Sequence, residues 1–133
     1  MDLELEQAII RRFVIPSKRE RCLAFAAEAR TRHKVLSLFN DPATFDERCV
    51  TEIAGHDRAS PELLVQRLRL LGMGGRVYVM SRNDDWDGKR FQTSYIVGEC
   101  IGACIDTLGY CWKTKTAFFE WHHSGATYFL RPR

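Results

Sequence analysis

Long hydrophobic runs are missing from this chain of 133 residues: cysteine aside, the longest is Leu23 to Ala27. A membrane-spanning helix needs about 20 apolar residues. The opening Met1-Asp2-Leu3-Glu4-Leu5-Glu6 lacks the basic start and apolar core of a secretory signal. Cys-x-x-Cys, the usual knuckle of structural zinc sites, is absent. The five cysteines are odd in number and irregularly spaced, which fits a reducing compartment better than a disulfide framework. Disorder is excluded as well, because 45% hydrophobic and 28% charged residues make an ordinary globular balance. These absences predict one cytoplasmic domain over 1–133, with 1–59 a helical part and 60–133 a helix-plus-sheet part.

Net charge is also small, +3 from 20 basic and 17 acidic residues. Its distribution is uneven. Residues 1–10 carry Asp2, Glu4 and Glu6 and no base, a net −3. Residues 11–34 carry Arg11, Arg12, Lys18, Arg19, Arg21, Arg30, Arg32 and Lys34 against Glu20 and Glu28, a net +6. The remainder sums to zero, so the whole excess sits in one segment.

Apolar spacing predicts a helix over 2–12, ending before Pro16. Ser17 with Glu20 reads as a capping box for a second helix, whose stripe is Cys22, Phe25, Ala26 and Ala29. A third helix over 31–39 stops at Asn40-Asp41-Pro42. Residues 43–59 read as an irregular connection anchored by Phe45 and Ile53. Ser60-Pro61-Glu62 starts a fourth helix, which Gly72 ends. Arg76–Met80 is a strand candidate, and Asn83–Gly88 a polar turn. Residues 93–105 read as a helix capped at Thr93, in preference to a strand at Tyr95-Ile96-Val97, with Gly98 and Gly102 one turn apart. Tyr110–Lys113, Thr116–Trp121 and Ala126–Leu130 read as short strands. The expected fold is α+β: N-terminal helices, then a mostly antiparallel sheet of about four strands with one inserted helix.

Several constellations invite chemistry. Cys100 and Cys104 would share a helix face, and with Cys111, His122 and His123 they form the one conceivable zinc set. The same thiols could act as nucleophiles, with His122 or His123 as base oriented by Glu120 or Asp106, but no spacing singles out one thiol. Buried structural cysteine is the simpler reading, and no cofactor or metal is expected. Asn83, Asp85, Asp87 and Gly88 match the start of a calcium loop, yet Ser94 stands where its glutamate belongs. Gly72-x-Gly74-Gly75 follows a helix and precedes a strand, the reverse of a phosphate loop. The helix pair at 17–29 and 31–39 mimics a DNA-reading motif, but its second helix offers only Lys34 and Ser37 as polar readers. Alternation along 116–121 sends Ala117, Phe119 and Trp121 to one sheet face and Phe118, Glu120 and His122 to the other. Either helices cover both faces, or one side is an exposed patch that binds something.

The run Phe13-Val14-Ile15-Pro16-Ser17-Lys18-Arg19-Glu20-Arg21, with Arg32-His33-Lys34, Asp87-Gly88 and Phe118-Phe119-Glu120, resembles a small bacterial family of uncharacterised proteins. The resemblance implies a compact α+β domain and carries no activity or site residues. No catalytic constellation meets its geometric requirement, so the expectation is a non-enzymatic protein-binding or regulatory module of immunity or adaptor type. Its candidate partner-binding residues are the eight bases of 11–34 together with Trp112, Lys113 and Lys115. The partner is a protein or a second copy. Nucleic-acid binding through 11–34 is the first alternative, and a thiol enzyme or zinc protein the second.

Overall fold

Three amphipathic helices open the chain: α1 Leu3–Phe13, α2 Pro16–Ala26 and α3 His33–Phe39. The computed structural model describes residues 1–58, 60–122 and 126–132. Asp2 caps α1 by accepting from the Leu5 amide. At α2 the expected cap is corrected. Pro16, with no N–H to satisfy, takes the first helical position, and no side chain caps it. The helix stops at Ala26, so Cys22 and Ala26 are buried while Ala29 is exposed.

After a 3-10 turn at Pro42–Thr44 comes β1, Val50–Glu52, inside the stretch expected to be irregular. Phe45 and Ile53 are both buried, as their apolar character predicts. Helix α4, Pro61–Leu70, is capped by Ser60 and ends at Gly72, whose φ of 99° is one glycine alone adopts freely. Then follow β2 Arg76–Ser81, β3 Arg90–Gln92, α5 Thr93–Cys100, β4 Thr107–Cys111, β5 Thr116–Glu120 and β6 Thr127–Leu130. Helix α5 is therefore shorter than 93–105. Cys104, at φ 57°, lies beyond it, and Gly98 faces open space instead of packing on the sheet.

The sheet has six strands, in the order β1-β6-β5-β4-β2-β3, every pair antiparallel. The two strands beyond the expected four, β1 and β3, are three-residue edge strands, too short to show a period of two. Short edges also offer little backbone for unwanted pairing.

Both faces of the sheet are covered. One carries Ala117, Phe119, Leu108 and Tyr110 against Ile9, Ile10, Phe13, Val35 and Phe39 of α1 and α3. The other carries Val77, Val79, Phe118 and Phe129 against Leu64, Leu68, Ile96 and Val97 of α4 and α5. The alternation along 116–121 is thus the alternation of two cores. No helix among the described residues is long and apolar enough to cross a membrane.

Candidate functional site

The basic segment does not stay at the surface as a block. Arg32 is buried beneath α1 with only 8% of its side chain exposed. Its Nε and Nη2 donate to Glu6 at 2.7–2.9 Å, and Nη2 and Nη1 donate to Asp87. Tyr78 Oη donates to the same Glu6 and accepts from the Asp2 amide. Asp87 also accepts from the Ser81 amide, so the residue that resembled a calcium ligand serves an arginine. Burial raises the Tyr78 hydroxyl well above its ordinary 10.0, and the hydrogen bond to Glu6 pushes the same way. Arg32 is thus withdrawn from the candidate partner surface. It ties three distant segments together.

Other bases of the segment are engaged locally. Lys18 lies 3.7 Å from Asp41 and Arg30 bonds Glu28, while Lys34 sits over the Phe25 ring. Arg19 donates to the Val14 carbonyl. Arg21 is exposed. Of the acidic leader, Glu6 pairs with Arg32 of the basic segment, and Asp2 reaches Arg90.

Arg11 and Arg12 point to a different place. With Glu4, Gln7, Ala8 and Pro132 they line a groove of about 530 Å³ between α1 and the chain beyond β6. Arg12 Nε is buried there without a hydrogen-bond partner among the described residues. The β5–β6 register, Ala117 opposite Leu130, brings Pro132 to the end of the sheet where Trp112–Lys115 turns between β4 and β5. Lys113 and Lys115 are exposed in that turn, Lys115 in the left-handed region at φ 60°. Trp112 is half-buried against the α1 side, with the Arg90 guanidinium 5.6 Å from its ring centroid. Helix α1 and the C-terminal turn, far apart in sequence, therefore share one basic end.

At the opposite end of β4 and β5 the C-terminal cysteines and histidines separate. Cys100 and Cys111 are buried in the α4–α5 core, and Cys111 lies one full β4 length away from Asp106. Its thiol approaches the Gly74 carbonyl at 3.4 Å. His123 falls outside the described residues. Cys104 alone is exposed, and it shares a cavity of about 410 Å³ with Asn40, Arg82, Ile105, Asp106 and His122. Asp106 is fully buried and accepts from both the amide and Nδ1 of His122, at 2.9 and 2.7 Å. Glu120, the other candidate orienting acid, instead takes the Thr127 hydroxyl. Among the described residues no group of three or more His, Cys, Asp or Glu side chains is placed to hold a metal. Sequence spacing gives no sign of Arg82 or Asn40, which follow β2 and α3 and share a cavity with His122 only through the fold.

No protein-family model, no curated protein and no solved structure matches this chain.

Proposed function

We propose that the protein is a non-enzymatic binding module that holds an acidic protein surface at its basic end. One observation carries this reading: the groove lined by Arg11 and Arg12 lies at the same end of the sheet as the exposed Lys113 and Lys115. Bases that converge from opposite ends of a chain produce a local field that steers and orients an acidic partner. The Arg12 guanidinium lines that groove, and its buried Nε has no hydrogen-bond partner among the described residues.

The test compares wild type with Arg11→Glu/Lys113→Glu/Lys115→Glu as affinity baits, followed by binding of the purified captured protein. Charge reversal is expected to weaken that complex at least about tenfold, a change of roughly 1.4 kcal/mol. Equal binding by both baits sinks the proposal. Retention on DNA or RNA that collapses between low and moderate salt replaces it with the nucleic-acid reading. Sedimentation velocity shows whether the partner is a second copy.

A further inference from the structure

Helix α4 buries one face and carries an apolar line on the other. Leu64, Val65 and Leu68 enter the core shared with α5, while Leu63 and Leu70 stay 45% and 80% exposed. Seven residues make about two turns, so these two leucines stand one above the other on the helix surface. Gln66 lies between them and is exposed as well. On the flank that borders Ser94 of α5, Glu62 and Arg69 line a groove of about 300 Å³. They too are seven apart, about 10 Å along the axis, which is too far for them to pair with each other. Among the described residues neither has an ion pair or hydrogen bond, whereas Arg67 on the opposite flank stands 3.6 Å from Asp57.

This pattern is complementary to its own reverse. A second α4, laid antiparallel about a two-fold axis between residues 66 and 67, puts its Leu70 on Leu63 and its Leu63 on Leu70. On the shared flank its Arg69 meets Glu62 and its Glu62 meets Arg69. The two Gln66 amides come together near the axis, each with a donor and an acceptor to offer. A two-fold contact demands this reciprocity, in which residue i meets j and j meets i.

We propose that this face of α4 is a homodimer contact, on which two copies of the chain pair antiparallel through Leu63 and Leu70 with Glu62 of each against Arg69 of the other. The ten residues of α4 span only about 15 Å. Contacts this small give weak, reversible association, so the dimer forms and parts with protein concentration. Helix α4 covers the sheet face opposite to α1. The inference therefore does not rest on a binding role for the basic end.

The test is sedimentation equilibrium of the full chain over a concentration series reaching about 1 mM, with circular dichroism to show that each variant is folded. Wild type is expected to pass from monomer to dimer across the series. Leu70→Glu, Glu62→Arg and Arg69→Glu each raise the dissociation constant about tenfold or more, since every change acts twice in a two-fold contact. Glu62→Arg/Arg69→Glu in one chain restores pairing. So does an equimolar mixture of the two single variants, because each cross-pair is again opposite in sign. Arg11→Glu/Lys113→Glu/Lys115→Glu leaves this dimer unchanged, which separates it from association through the basic end. A wild type that stays monomeric throughout overturns the proposal. A dimer that Leu70→Glu leaves intact, or one that neither charge swap restores, overturns it as well.

Discussion

Truncating Arg32 would leave the buried Glu6 carboxylate and the partly buried Asp87 carboxylate without the cation they share. Removing one partner of a buried ion pair typically costs about 3–5 kcal/mol, because the remaining charge is stranded. Arg32→Leu is therefore expected to lower unfolding free energy by about that amount in urea titrations, and adding Glu6→Gln and Asp87→Asn to recover part of it. Tyr78 makes a second prediction from the same cluster. Its hydroxyl ionises above the ordinary 10.0 in the folded protein, so the folded state holds a proton that the unfolded chain releases first. That contribution is complete below pH 10.0 and is lost as pH rises toward the folded value. Stability should fall on the alkaline side, and Tyr78→Phe should flatten that fall. Neither residue was legible as a pair beforehand. Charge arithmetic located an excess over 11–34, but Arg32 is neutralised by residues 26 and 55 positions away, a distance no local pattern records. Cys22 was legible, by contrast. Its helical spacing predicts burial, and burial raises its thiol, making it a poor nucleophile despite Lys18 and Arg21 nearby.

Secondary elements were readable wherever they were long enough to repeat. Ser60 before Pro61 marks α4 because the cap, the proline and the apolar face agree. Ser17 misled because Pro16 already sets the backbone for the first turn, and a capping box one residue later is redundant. The contrast can be measured: Ser60→Ala should cost about 1 kcal/mol, and Ser17→Ala close to nothing. Edge strands β1 and β3 were invisible for lack of length. Helix α5 was overextended because Ile101 turns extended before Gly102, whose positive φ no periodicity announces. In the centre of the sheet Gly109 faces Phe118 across the β4–β5 pair, and a Cβ there would overlap the Phe118 ring. Gly109→Ala should therefore destabilise by about 1–3 kcal/mol through overpacking, and Phe118→Leu in the same chain should relieve part of it.

For the whole molecule, the sheet works as a spacer. Its α1–α3 layer and its α4–α5 layer bury both faces, which leaves the two ends of β4 and β5 for chemistry. Five β4 residues at about 3.4 Å each hold the basic end and the Cys104 cavity roughly 17 Å apart. Cys104→Ser should therefore leave partner affinity at the basic end unchanged, which binding of the purified captured protein checks. The buried cluster beneath α1 has one more consequence, for the order in which the chain folds. Glu6 meets Arg32 across 26 residues and Tyr78 across 72. Closing loops of that size precedes any gain from the contact. Glu6 gains its full set of partners only once β2 and the turn holding Asp87 exist, so α1 is expected to dock after the transition state. Tyr78→Phe should then speed unfolding in stopped-flow traces and leave refolding nearly unchanged. On that order helix α1 is the last to be locked in place.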